Sequence, residues 1–196
     1  MQRSPLAPAS GPTLPAIDGV RLAAGACGIR YKNRNDVLLA LLDEGTNVAG
    51  VFTRSLTASA PVLACREALK GGTARVLVVN SGNSNAFTGF RGREAVEAIM
   101  AQVSQHLGCP QEQVFVSSTG VIGVPLPKDK AKAGIEAALV AQPCDWQTAA
   151  NTIGTTDTFA KGAMARAVVD GRTVTIGAII KGSGMIAPDM ATMLGY

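Results

Sequence analysis

The stretch AMARAVVDGRTVTIGAII, from Ala163 to Ile180, places two runs of β-favouring residues on either side of Asp170-Gly171. Asp-Gly is the dipeptide of a tight hairpin, because both turn positions take positive φ. The spacing predicts strands over residues 163–169 and 173–180. Upstream the pattern changes. The apolar run Val37-Leu38-Leu39-Ala40-Leu41-Leu42 predicts a buried strand, and residues 49–53 a second one, with Asp43, Glu44 and Gly45 breaking the chain between them. Ser59 and Pro61 open a helix that Gly71 and Gly72 stop. Residues 75–79 and 114–116 read as strands, each followed by a dense polar cluster. Between them, Val96, Ile99, Met100, Val103 and Leu107 fall on one face of a helix over residues 93–107. Further helices are expected over residues 128–140 and from Asp145. A hairpin combined with strand–helix units makes the chain α+β rather than a regular α/β repeat. No internal repeat and no linker divides it, so one domain is expected.

Composition supports a packed chain. Of 196 residues, 47% are hydrophobic and 16% charged, which excludes a disordered polar segment. The net charge of +4 is scattered, and Lys128, Lys130 and Lys132 are interrupted by Asp129. With aromatics at 4% there is little to stack on bases, and no nucleic-acid partner is expected. The same sign of field favours a small anionic substrate. No apolar run approaches the ~20 residues that span a bilayer. The start, MQRSPLAPASGPTLP, lacks the apolar centre of a secretory signal and reads as a flexible leader over residues 1–14. A cytoplasmic location is the expectation. Cys27, Cys65, Cys109 and Cys144 form no C-x-x-C pair and are expected to be free thiols.

The chemistry narrows by elimination. The one histidine, His106, falls in the last turn of the 93–107 helix, where a cationic residue suits the dipole. Without it there is no Ser–His–Asp arrangement and no ordinary zinc site, so no metal is expected. There is no phosphate-binding G-x-x-x-x-G-K-[ST] run, and the glycines from Gly19 to Gly28 lack the strand–turn–helix frame of a dinucleotide site. Three polar clusters remain, at residues 80–85, 117–123 and 155–158; each taken alone reads as a turn or a helix cap sooner than as a functional group. A fourth segment is Lys181-Gly182-Ser183-Gly184-Met185-Ile186-Ala187-Pro188-Asp189-Met190-Ala191-Thr192-Met193-Leu194. On composition it is either a loop leading to a helix capped by Asp189, or a catalytic segment.

In that segment the chain resembles the ornithine acetyltransferase family of arginine biosynthesis, some of whose members are bifunctional. Lys181-Gly182, Met185, Pro188 and Met190-Ala191-Thr192-Met193-Leu194 match the family's cleavage signature. Ala49-Gly50-Val51-Phe52-Thr53, Ala60-Pro61-Val62-Leu63, Val78-Val79-Asn80-Ser81-Gly82-Asn83, Ser118-Thr119-Gly120-Val121-Ile122-Gly123 and Thr155-Thr156-Asp157-Thr158 are similar to further family blocks, in order. The resemblance implies autoproteolysis at Ala191–Thr192. Thr192 then acts as a nucleophile with its own new α-amine as base, and acetyl passes from N-acetylornithine to glutamate by a ping-pong route. It implies an oxyanion hole at Thr119 and Gly120, and substrate contacts at Lys181, Thr192 and one threonine of Thr155, Thr156 and Thr158, of which Thr158 fits by spacing. No cofactor is implied, although acetyl-CoA is a co-substrate of bifunctional members. The implied fold is an α-β-β-α four-layer sandwich: an alpha segment over residues 15–191, the first residues of a beta segment over 192–196, and a carboxy-terminal remainder that completes it, the cut chains pairing as a heterotetramer. As a fragment, the 196 residues are expected to be inactive alone. A threonine-nucleophile amidase or aminopeptidase of the same architecture, or a non-catalytic relic, are the competing readings.

Overall fold

The computed structural model describes residues 2–185 and 193–196. Four strands form one sheet in the order β1-β2-β3-β4: β1 (Val20–Gly25), β2 (Val37–Leu42), β3 (Val76–Asn83) and β4 (Val114–Val121). β1–β2 and β2–β3 are antiparallel and β3–β4 is parallel. A parallel pair needs a long crossover, and helix α2 (Gly89–Leu107) lies within it. Helices α1 (Ala60–Ala68), α2 and α3 (Lys128–Val140) pack on one face of this sheet. Val37, Leu39, Val76 and Val78 meet Cys65, Val96, Ile99, Val103, Ala131 and Ile135 there. On the opposite face Leu22, Leu38 and Val79 meet Ala149, Ala150 and Ile153 of helix α4 (Trp146–Ile153), together with Ile179. β2 is thus covered on both sides, which is why it reads as an unbroken apolar run rather than an alternating one.

Ile179 belongs to a second sheet of β5 (Lys161–Val169), β6 (Arg172–Lys181) and β7 (Leu194–Gly195), in that order. The β5–β6 hairpin closes on Val169↔Arg172, and its turn residues Asp170 and Gly171 take φ of 49° and 75°. Both values are positive, as the Asp-Gly pair demands. Pro12 and Leu14 lie against Gly162, and Leu14 also against Gly177 of this hairpin.

Several elements match the sequence-based expectation, including β2, α3 and the hairpin, and the mixture of sheets and helices agrees with it. Residues 49–53 do not: they form no strand, and Val51 is 82% exposed. An isolated bridge, Asn47↔Thr73, lies just before them. β1 was not expected at all. β3 and β4 run on beyond their apolar parts into the polar clusters, and α2 starts four residues before Arg93. Asp145 caps α4 by accepting from Thr148 N at 2.7 Å. The other end of α4 is held by Arg34, whose guanidinium donates to the carbonyls of Asn151 at 2.7 Å and Gly154 at 2.9 Å. A cation at a helix C-terminus satisfies orphan carbonyls and suits the dipole.

Buried Asp36 fastens the β1–β2 connection. Its carboxylate accepts from Cys27 N at 2.8 Å and Ile29 N at 2.7 Å. Burial, and then the nearby Asp36 charge, push the Cys27 thiol up to about 12. All four cysteines are free. His106 stands exposed in the last turn of α2. Among the described residues, no helix is long and apolar enough to cross a membrane.

Candidate functional site

The ends of β3 and β4 carry the first group of candidate site residues. Their register pairs Ser81 with Thr119 and Gly82 with Gly120, followed by a bulge at Asn83. Gly82 and Gly120 take φ of 102° and 135°, where a side chain is strained. A Cβ on Gly120 would overlap the Gly82 carbonyl carbon and come within 2.6 Å of Asn83 N. Glycine at position 120 therefore lets the two strand ends close together. The polar residues that made this region look like a turn satisfy one another instead. Ser118 Oγ donates to Asn80 Oδ1 at 2.6 Å, Asn80 Nδ2 to the Asn83 carbonyl at 2.9 Å, and Asn83 Nδ2 to the Val124 carbonyl at 2.9 Å.

Thr119 is an exception. It is fully buried, and its hydroxyl makes no hydrogen bond. Alternation along the strands sets its direction. Asn80 and Ser118 share the face covered by α1–α3, so Ser81 and Thr119 share the opposite face with Val79, towards α4 and the second sheet.

The second group gathers around Asp157, in the connection between α4 and β5. Asp157 Oδ1 accepts from Lys161 Nζ at 2.6 Å and from Gly182 N at 2.8 Å, and Oδ2 accepts from Thr155 N at 3.3 Å. Lys181 Nζ lies 4.0 Å from Oδ2. Burial alone would raise the Asp157 carboxyl. The Lys161 ammonium and the donated backbone N–H groups outweigh it and hold the group below the usual carboxylate range. Lys181 is 3% exposed, and alternation with Ile179 turns it towards the first sheet. Burial pushes its ammonium down, Asp157 pushes it up, and Lys161 pushes it down. Thr158 lines an open cleft of about 360 Å³ together with Arg34, Asn151, Asp157 and Phe159.

Of the residues expected from sequence, Thr119 and Gly120 are brought together at the β4 end, and Lys181 and Thr158 are gathered around Asp157. Ala191 and Thr192 lie outside the described residues, as does Asp189. On either side of them, Lys181 of β6 pairs with Leu194 of β7. Sequence reasoning gave Asp157 no role of its own; an aspartate set among three threonines, Thr155, Thr156 and Thr158, was the available signal. Ser81 reads in the sequence as one of several turn residues. Among the described residues, no group of His, Cys, Asp and Glu could hold a metal ion.

Comparison with known proteins shows the family and the fold. The "Arginine biosynthesis bifunctional protein ArgJ" of Zymomonas mobilis is 56% identical over 193 residues, covering 98% of this chain and 47% of that protein. The protein of the same name from Ruegeria pomeroyi is 57% identical over 199 residues, covering 98% and 48%. The chain thus spans about half the length of these relatives. Among solved structures, Bacillus halodurans ArgJ superposes with a TM-score of 0.81 at 32% identity, over 89% of this chain and 92% of that one. Mycobacterium tuberculosis ornithine acetyltransferase, solved with ornithine, gives 0.74 at 33% identity, over 87% and 92%. The ArgJ family model matches residues 21–196, more than half of the sequence, and the chain belongs to the ArgJ family.

Proposed function

We propose that the chain is the amino-terminal part of a self-cleaving enzyme that moves acetyl from N-acetylornithine to glutamate. Thr192 Oγ attacks the Ala191 carbonyl, the Ala191–Thr192 peptide becomes an ester, and water resolves it. Thr192 is then amino-terminal, and its α-amine, with a reference pKa of about 7.7–8.0, accepts the hydroxyl proton. Acetyl transfers to Thr192 with release of ornithine, and glutamate then takes it from the threonine. In a bifunctional enzyme acetyl-CoA also loads Thr192. Thr119 and the Gly120 N–H hold the oxyanion, while Lys181 and Thr158 contact substrate, the lysine through a carboxylate.

One observation carries this reading: a buried Thr119 hydroxyl without a partner, beside a glycine whose missing Cβ lets the strand ends close. Such donors fixed in a low-dielectric site are what a developing oxyanion needs. No histidine is required, in keeping with His106 standing exposed at a helix end.

In this account residues 15–191 form the alpha segment, after a leader over 1–14, and 192–196 begin a beta segment. The remaining beta residues complete an α-β-β-α sandwich, and the cut chains pair as a heterotetramer in the cytoplasm. The exposed apolar residues of the β5–β6 hairpin, Val168 and Ile176 among them, support a further covering layer. The 196 residues alone are then inactive.

The test is incubation of the full-length protein with N-acetylornithine, with and without glutamate. Ornithine release that depends on glutamate, with N-acetylglutamate formed in equal amount, is the expected result. Release that ignores glutamate would identify an amidase of the same architecture, and no release would identify a relic.

A further inference from the structure

Thr119 does not stand alone. Ser81, its register partner on β3, is also fully buried, and its Oγ also has no hydrogen-bond partner. The two hydroxyls lie on neighbouring strands and on the same face, one residue before the Gly82–Gly120 close approach. A buried polar group left unsatisfied lowers stability, so proteins rarely keep one. The surrounding residues show that this region can satisfy its polar groups: Asn80, Asn83, Ser84, Asn85 and Ser118 all have partners. The exceptions, Ser81 and Thr119, both face the space between the two sheets. Ser81 N donates to the Asp36 carbonyl at 2.9 Å, which fixes its backbone and leaves the hydroxyl for another acceptor.

We propose that the Ser81 hydroxyl is a further catalytic donor, sharing with Thr119 and Gly120 the negative charge on the acetyl oxygen in the tetrahedral intermediate. Its proton is shared in a hydrogen bond and never transferred. The negative charge arises when the nucleophile's electron pair enters the carbonyl carbon, and it leaves when the carbonyl re-forms and the amine departs, taking the proton that the α-amine had accepted from the nucleophile's hydroxyl. This inference rests on the oxyanion-hole reading of Thr119 and Gly120, and extends it by a third donor from a different strand.

The test compares S81A and T119A in the full-length, self-processed protein, measuring steady-state acetyl transfer and urea unfolding. For S81A, kcat should fall roughly 10- to 100-fold with KM little changed, because the donor acts on charge present only in the transition state. Its unfolding midpoint should stay equal or rise, because an unsatisfied buried hydroxyl has been removed. A serine that serves packing or binds a structural water behaves oppositely: the midpoint falls and kcat holds, which overturns the proposal. Should S81A lower both, S81C decides. A donor role requires a rate between those of the wild type and S81A, whereas a wild-type rate overturns it. T119A separates the two levels of the argument. Loss of kcat in T119A with none in S81A removes only the third donor; full activity in both removes the oxyanion hole itself.

Discussion

Asp157→Asn changes the residue that ties the 155–158 cluster to the start of the Lys181–Leu194 segment. The side chain keeps its shape and loses its charge. In the wild type, one oxygen accepts from Lys161 Nζ at 2.6 Å and Gly182 N at 2.8 Å, and the other accepts from Thr155 N at 3.3 Å and lies 4.0 Å from Lys181 Nζ. An amide can place its oxygen at only one of these positions. The NH2 group then faces either Thr155 N and the buried Lys181 ammonium, or Lys161 and Gly182 N, and donor meets donor in both cases. A hydrogen bond to a charged group contributes about 1.5–3 kcal/mol. Removing one partner of a buried ion pair costs about 3–5 kcal/mol, because the other charge stays behind. The neutral bonds that survive offset part of this, leaving an expected loss of about 3 kcal/mol at pH 7. The pH dependence has a definite sign. The Asp157 carboxyl is held below its ordinary 3.8 in the folded protein, so its contribution is fully present above that value and fades as pH falls through the folded pKa. Urea unfolding of the full-length wild type and D157N, from neutral pH down into acid, reads both effects. A difference below about 1 kcal/mol at pH 7, or one that persists unchanged in acid, would refute the reasoning.

Further predictions concern the strand ends and the first loop. Gly120→Ala forces a Cβ into the Gly82 carbonyl and towards Asn83 N, at φ 135°. Acetyl transfer should fall about 100-fold or more, and a wild-type rate would remove Gly120 from the site. With the Cys27 thiol at about 12, roughly 1 in 10,000 molecules carries a thiolate there at pH 8. Labelling of Cys27 by a thiol reagent, followed by peptide mass analysis, should be far slower than that of a free cysteine at pH 8. Asp36→Asn should speed it by removing the charge that helps raise the thiol; equal rates would contradict the assignment.

The parts of the fold legible in the sequence are those where one local signal dominates. Val37–Leu42 is apolar without interruption because helices and the second sheet cover both faces of β2. Asp170-Gly171 names its own turn. Lys128–Val140 is rich in alanine and lysine, and forms the helix over those bounds. β1 was hidden because its sequence, VRLAAG, gains its strand character from pairing with β2 rather than from its own residues. Residues 49–53 carry strand-forming valine, phenylalanine and threonine, yet form no strand. The polar ends of β3 and β4 misled in the opposite direction. Asn80, Asn83 and Ser118 are turn-formers by propensity, and tertiary hydrogen bonds hold them in extended backbone. The same distinction governs the site. Thr119, Gly120, Lys181 and Thr158 were reached through resemblance. The environments of Asp157 and Ser81 depend on contacts between distant parts of the chain, such as Asp157 with Gly182 and Ser81 with Asp36, and no local spacing encodes those.

Acetyl transfer by this mechanism requires the freeing of Thr192, and the intact mass of the purified full-length protein tests that directly. The wild type should resolve into two chains, the second beginning at Thr192, and Thr192→Ala should give a single chain with no acetyl transfer. A single unbroken wild-type chain with full transfer, or full transfer by the T192A variant, would contradict it.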